Sequence, residues 1–287
     1  MDGKVALIAG GARAMGRSHA LTLAREGADI LILDCPPPIA HVPYGLAVRE
    51  DLERTVAEVE AEGRRAIAIE GDVRDSADLE RLVARGIDEL GGIDVCIANA
   101  AIWSINDFWR LEDEEWKEVV DVNLSGAWRT AKAVTPHMIE REAGSIILIS
   151  SVAGIEGFGS IAHYSAAKHG VLGLMKTICL ELGPRYGIRC NAILPGNVDT
   201  PMLKWPGALD FMAGGEGLGS VEKLEEGTKA WSALKGRGLL DPQSISDAVL
   251  FLASDASRDV TGLELVVDGG HHVLNGFNHA AIADPEG

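Results

Sequence analysis

Val5-Ala6-Leu7-Ile8-Ala9-Gly10-Gly11-Ala12-Arg13-Ala14-Met15-Gly16 decides how the rest of the chain is read. Its first five residues form a short, unbroken apolar run rich in branched side chains, as expected of a parallel strand buried on both faces. Glycines then cluster at 10, 11 and 16, and Arg17-Ser18-His19-Ala20-Leu21-Thr22-Leu23-Ala24 reads as a helix. Strand, glycine turn and helix in immediate succession leave backbone N–H groups and the positive end of a helix dipole at one point, which suits a pyrophosphate. A second apolar run, Ile30-Leu31-Ile32-Leu33, ends in Asp34. A carboxylate there accepts hydrogen bonds from an adenosine ribose and repels a 2′-phosphate. The pattern therefore points to NAD over NADP.

Outward from that unit the chain alternates. Strands are predicted at 4–9, 29–34, 65–70, 93–98, 144–149, 188–193 and 263–267, with helices over 49–61, 76–90, 113–140, 163–183 and 244–253 among the stretches between. Parallel strands joined by crossover helices make a doubly wound α/β sheet covered on both faces, with ligands at the carboxyl ends of its strands. The expected organisation is a single domain over 1–287.

The second informative stretch is Tyr164-Ser165-Ala166-Ala167-Lys168, with Ser151 upstream of it. Tyr and Lys at i and i+4 leave a helix on the same face. A phenol has a reference pKa of roughly 10, and a neighbouring ammonium favours its ionised form. Such a pair suits the acid/base work of alcohol–ketone interconversion. An amphipathic helix with two polar residues on its rim accounts for the pair alone.

Together the motifs resemble the short-chain dehydrogenase/reductase family over nearly the whole length. The carriers are Ala9–Gly16, Gly71-Asp72-Val73, Asn99-Ala100-Ala101, Val122-Asn123-Leu124-Ser125-Gly126, Ile149-Ser150-Ser151, Tyr164 with Lys168, Pro195-Gly196-Asn197-Val198-Asp199-Thr200 and Val267-Asp268-Gly269-Gly270. Within the family the chain is most similar to the mycofactocin-coupled, carveol-dehydrogenase-like branch. The pieces shared with that branch include Gly16-Arg17-Ser18-His19-Ala20, Asp34-Cys35 with its Pro/Ile-rich insertion, and His163 through Gly170. The resemblance implies strand order 3-2-1-4-5-6-7, tightly held NAD, and a secondary alcohol or ketone substrate that is bulky, apolar and terpenoid-like. It also implies a homotetramer, and an external redox partner such as mycofactocin.

The catalytic residues it implies are Asn123, Ser151, Tyr164 and Lys168. Tyr164 exchanges the proton, Lys168 lowers the phenol pKa and meets the nicotinamide ribose, Ser151 holds the substrate oxygen, and Asn123 positions a water linked to Lys168. The cofactor residues are Gly10, Arg13, Met15, Gly16, Asp34, Asp72, Val73, Asn99, Ala101, Tyr164, Lys168, Val198 and Thr200. Asp72 and Val73 are expected at the adenine, Asn99 and Ala101 near the nicotinamide ribose, and Val198 and Thr200 at the carboxamide and phosphates. Ala14 and Ala101 stand where the family usually has glycine, and Leu194-Pro195-Gly196-Asn197 departs from the branch pattern. A basic residue such as Arg13 also serves NADP in some relatives, but Asp34 opposes that here. Other readings remain: a hydroxysteroid or polyketide-alcohol dehydrogenase, an acyl-carrier-protein-linked ketoreductase, and a dinucleotide-binding sensor or scaffold without turnover.

Two segments interrupt the alternation. Residues 35–48 form a proline-rich insertion, which fits a rigid surface loop or a cover over the adenosine end. Residues 201–240 mix aromatics with glycine, which suits a substrate lid or an inward-packing helical excursion. Ile155, Phe158, Ile161, Trp103, Trp205 and Phe211 are expected around an apolar pocket. His163 and His169 read as structural, because they leave the helix on other faces. His271, His272 and His279 lack a convincing metal spacing, and the tail 271–287 runs past the last strand.

Composition sets outer limits. The 287 residues are 47% hydrophobic and 24% charged, enough for one substantial core. A formal net charge of -17 opposes nucleic acid and anionic membranes as partners. No apolar run reaches the ~18 residues of a membrane span. The first strand begins too early for a signal peptide. Cys35, Cys96, Cys179 and Cys190 lack metal-site spacing and suit a reducing cytoplasm.

Overall fold

The computed structural model describes residues 1–274. Seven strands form one parallel sheet in the order β3-β2-β1-β4-β5-β6-β7. They are β1 (Val5–Ala9), β2 (Asp29–Asp34), β3 (Ala66–Glu70), β4 (Val95–Ala98), β5 (Ser145–Ile149), β6 (Arg189–Pro195) and β7 (Glu264–Val267). The helices are α1 (Ala14–Arg25), α2 (Arg49–Ala61), α3 (Ser76–Arg85), α4 (Asp113–Val120), α5 (Gly126–Arg141), α6 (Ala162–Tyr186), α7 (Pro206–Ala213), α8 (Val221–Lys229) and α9 (Pro242–Ala253).

Successive side chains of a strand point to opposite faces, so each buried strand feeds two cores. Leu7, Leu31, Leu33, Cys96, Ile146 and Leu148 pack on one face with Leu79 and Leu82 of α3, Val134 of α5 and Met175 of α6. Ile8, Ile30, Ile32, Ile97, Ile147 and Ile193 pack on the other with Leu23 of α1, Val59 of α2 and Val249 of α9. This two-sided burial is why the strands read as continuous apolar runs.

Strand order reverses between β1 and β4, and the ends of these two strands are tied together. Asn99 donates through Nδ2 to the Gly10 carbonyl (2.7 Å), and Ala100 N–H reaches Ala9 O (2.8 Å). A crevice at such a reversal is where doubly wound sheets bind ligands.

The structure revises several sequence expectations. The predicted helix 113–140 is interrupted by a π-turn over Asp121–Ser125, and 76–90 ends in another over Gly86–Leu90. Within the first interruption Asn123 donates to Ile102 O and accepts from Ile102 N–H, both at 2.8 Å, which joins this turn to the loop after β4. β6 runs on to Pro195 instead of ending at 193, because Pro195 still pairs with Val267.

Ala14 opens α1 with φ 49°, a left-handed conformation that disfavours any Cβ. Glycine would adopt it freely. Ala14→Gly is expected to raise stability by about 0.5–1 kcal/mol after the entropy cost of glycine, seen as a melting temperature about 2 °C higher. An unchanged or lower melting temperature would mean that the turn holds no strain there. Ala101 does not have a positive φ, so its departure from glycine carries no such penalty.

Candidate active site

A cavity of about 250 Å³ follows the carboxyl edge of the sheet from β3 to β6. The turn after β1 forms its floor. Gly10 has φ 83°, and a Cβ there would stand 2.7 Å from the Ala100 backbone. A Cβ on Gly16 would overlap the Gly10 carbonyl, so the helix can approach the turn this closely only with glycine. Asp34 braces the turn through Oδ2, which accepts Ala12 N–H (2.8 Å), while Oδ1 accepts Cys35 N–H (2.7 Å). Thr55 of α2 donates to the Ala12 carbonyl (2.7 Å). Behind the turn, the fully buried His19 meets Ser246 Oγ at 2.8 Å through Nδ1, and burial pushes its pKa down to about 3. The imidazole is therefore a neutral tie between α1 and α9.

The site residues expected from sequence converge on this cavity with two exceptions. Gly10, Arg13, Met15, Asp34, Asp72, Val73, Asn99, Ala101, Ser151, Tyr164, Lys168, Val198 and Thr200 all line it. Gly16 and Asn123 do not. Gly16 lies behind the turn, and the Asn123 amide clamps Ile102 through one bond at each end. Arg13 donates through Nη2 to Gly45 O (2.7 Å), which ties the insertion to the turn. The Asp72 carboxylate is gripped by Arg74, with Nη2 to Oδ2 at 2.6 Å and Nε to Oδ2 at 2.9 Å.

Lys168 is held at both ends. Its Nζ donates to Ile149 O (2.9 Å), and its own carbonyl accepts from Ser150 Oγ (2.8 Å). It is 1% exposed, and burial brings its pKa down to about 7. Its ammonium lies 5.5 Å from the centre of the Tyr164 ring. Burial raises the Tyr164 pKa, while a hydrogen bond with Ser151 acts in the opposite direction. Burial penalises the charged form of both groups, and the Ser151 hydroxyl favours the phenolate. Ser151 itself accepts the Ala153 N–H (3.1 Å), which fixes the hydroxyl at the mouth of β5.

Beyond Tyr164 the cavity becomes aromatic. Trp103 packs at 6.3 Å from Tyr164 and edge-on to Phe211 at 6.1 Å. Phe158 stacks on Trp231, and Trp231 stacks on His271 at 4.6 Å. Ile161, Phe158, Trp103 and Phe211 line the cavity as expected. Trp205 stands one layer back, stacked on Tyr44 at 6.0 Å, and Ile155 is exposed. Tyr44 escaped the sequence reading. It lies in the insertion, yet its hydroxyl accepts Trp103 N–H (3.1 Å) and its ring lines the cavity. Only its position as the one aromatic residue of 35–48 signalled it. His271 and His272 pair with Glu156 (3.1 Å) and Asp268 (2.8 Å). His279 and the rest of the tail lie outside the described residues.

The cradle fits a dinucleotide. The glycine turn, where Cβ atoms at positions 10 and 16 are excluded, leaves backbone close to the cavity, and Asp34 faces it from the end of β2.

Comparison with known proteins agrees. A family profile described as enoyl-(acyl carrier protein) reductase matches residues 10–272. The chain is 43% identical over 272 residues to an oxidoreductase of Mycobacterium tuberculosis described as NAD-dependent, covering 94% of this chain and 96% of that one. It is 40% identical over 272 residues to (-)-trans-carveol dehydrogenase of Rhodococcus erythropolis, covering 94% and 98%. Carveol dehydrogenase from Mycobacterium avium, solved in complex with NAD, superposes with a TM-score of 0.92 at 39% identity, covering 96% of this chain and 99% of that one. With a glycine turn at the strand reversal, a Ser–Tyr–Lys group beside it, a family profile over residues 10–272 and relatives matched over 94% of its length, the chain belongs to the short-chain dehydrogenase/reductase family.

Proposed function

We propose that this protein is an NAD-dependent dehydrogenase that interconverts a secondary alcohol and a ketone on a bulky, apolar, terpenoid-like substrate. The observation that carries this reading is one cavity with Asp34 at one end, an aromatic chamber at the other, and Ser151, Tyr164 and buried Lys168 between them. NAD supplies the hydride acceptor when bound. Gly10, Asp34, Val73, Asn99, Val198 and Thr200 would hold it.

The protein's own part is orientation and proton transfer. Ser151 donates to the substrate oxygen and holds the carbinol facing Tyr164. The Tyr164 phenolate takes the hydroxyl proton during oxidation and returns it during reduction. Lys168, fixed on Ile149 O, supplies a cationic hydrogen-bond donor on the same helix face. Trp103, Phe158, Ile161 and Phe211 exclude water and pack the hydrocarbon.

The insertion supports tight retention of the dinucleotide. Pro36, Ile39 and Ala47 line the cavity beside Asp34. Arg13 and Tyr44 tie the segment down, and His41 N–H donates to Glu118 (3.1 Å). A held cofactor needs an external oxidant to complete a cycle, which suits a carrier of the mycofactocin type. Trp116 of α4, Trp128 of α5 and Leu180 of α6 are exposed and favour a homotetramer. Four free thiols fit a reducing cytoplasm. No helix among the described residues is long and apolar enough to cross a membrane.

Mass spectrometry of freshly purified, denatured protein tests retention: NAD(H) near one per chain is expected, and an empty protein would leave the insertion an ordinary loop. A panel of cyclic secondary alcohols then tests the reaction. Oxidation of none of them would leave the sensor or scaffold reading in its place. Asp34→Ala is expected to weaken NAD by roughly 10–100-fold, the loss of hydrogen bonds to a charged group, and to narrow the preference over NADP. Unchanged discrimination in a fluorescence titration would remove Asp34 from cofactor selection.

A further inference from the structure

Tyr164 stands in the first turn of α6, the part of a helix whose N–H groups lack intrahelical partners. The residue before the helix, Ile161, provides no side-chain cap. The approach is irregular: Ser160 has φ 59°, and glycines lie at 154, 157 and 159. A turn of this kind frays unless something holds it, and fraying would swing the phenol away from Ser151.

A buried chain of side chains reaches this turn from outside the helix. Glu115 of α4 accepts from Ser104 Oγ (2.6 Å), and Ser104 Oγ lies 2.7 Å from His163 Nε2. His163 Nδ1 accepts the backbone N–H of Tyr164 (2.9 Å). Glu115, Ser104 and His163 are 7%, 4% and 0% exposed. With Nδ1 as the acceptor, Nε2 carries the proton and donates to Ser104, whose own proton goes to Glu115. Burial, the main influence on His163, lowers its pKa, while Glu115 and a backbone hydrogen bond with Ile161 act in the opposite direction. Asn106 closes the arrangement. Its Nδ2 donates to Glu115 Oε2 (3.3 Å), and its N–H donates to Ser160 O (2.8 Å), just ahead of the helix.

We infer that His163, anchored through Ser104 to Glu115, is a positioning residue that replaces the missing helix cap and holds Tyr164 at the reacting oxygen. The chain of bonds ends on the backbone of Tyr164, so it carries no proton to the phenol. Its action is geometric, and a small misplacement of a reacting group can cost on the order of 100-fold in rate. The inference rests on Tyr164 being the acid/base group proposed above.

Two measurements on the full-length protein test it. In amide hydrogen exchange, His163→Ala is expected to speed exchange in the first turn of α6 by about tenfold or more, with the rest of that helix still protected. In kinetics with a cyclic secondary alcohol and an artificial electron acceptor that reoxidises the bound cofactor, the same variant should lower kcat about 10–100-fold, with alcohol KM and NAD content nearly unchanged. Ser104→Ala should move both readouts in the same direction. His163→Asn keeps an acceptor at the Nδ1 position and should restore more kcat than His163→Gln, which keeps only the reach to Ser104.

Unchanged exchange in the first turn would overturn the inference, as would faster exchange with wild-type kcat. A parallel fall in melting temperature, NAD content and kcat would also overturn it, since that marks a merely structural group. If the wild-type protein oxidised no alcohol, the proposed reaction would fail, and the exchange result would still decide whether the network holds the turn.

Discussion

Tyr164→Phe is expected to lower turnover by roughly 10²–10⁴-fold, the usual worth of a positioned acid/base group, while NAD binding persists. The substitution removes only the hydroxyl. The ring keeps its packing on Trp103 at 6.3 Å, and Lys168 keeps its bond to Ile149 O. Any loss is therefore assigned to the proton step. Direction and pH add a second signature. Burial raises the phenol pKa, so the ionised form is the minor one at neutral pH. Alcohol oxidation should accelerate with rising pH, by about tenfold per unit until the phenol titrates, whereas ketone reduction, which needs the protonated phenol, should not. A flat profile for oxidation, with chemistry rate-limiting, would contradict this assignment.

Lys168→Met should separate stability from catalysis. The amine is buried at 1% exposure with its pKa lowered to about 7, against about 10.4 in an unfolded chain. Between those values the unfolded chain binds a proton that the folded protein lacks. Wild-type stability therefore rises with pH from about 7 to 10 and is lowest below 7, where burial opposes the charged form. Methionine removes the titrating group. The variant should be more stable than wild type at pH 6 by on the order of 2–4 kcal/mol, less about 1 kcal/mol for the Ile149 carbonyl left without its donor. The difference should shrink toward pH 10. Turnover should fall at least about 100-fold at every pH. A variant less stable than wild type at pH 6 would show that the buried ammonium is well compensated. Denaturant melts at several pH values decide between these outcomes.

The fold was legible because its signals are local and repetitive. Val5–Ala9 and Ile30–Leu33 are apolar throughout, and only strands buried on both faces need that pattern. Gly10 and Gly16 mark a turn that excludes side chains. Asp34, Ser151, Tyr164 and Lys168 follow strands or share a helix face, so spacing alone brought them to one edge of the sheet. What escaped depends on partners distant in sequence. Asn123 looks like a polar residue within a helix, and nothing near it reveals that Ile102 takes both ends of its amide. Tyr44 sits in a proline-rich segment without periodicity, so its place in the substrate chamber follows from how 35–48 folds back over the sheet edge. His163 was read as structural from its helix face, but its partners Ser104 and Glu115 come from another loop and helix. Spacing put Lys168 and Tyr164 together, but the i, i+4 pattern does not encode their burial, which opposes the charged form of both groups.

The most direct test of the account is a single-turnover experiment. The protein carrying NAD is mixed with a cyclic terpenoid secondary alcohol, and reduced nicotinamide is followed by absorbance beside Tyr164→Phe treated identically. The account predicts reduced nicotinamide approaching one equivalent per NAD-loaded chain in the wild-type protein, and little or none on the same timescale in the variant. Reduction at equal rates in both proteins would contradict the role given to Tyr164, and no reduction by wild type with any such alcohol would contradict the assigned reaction itself.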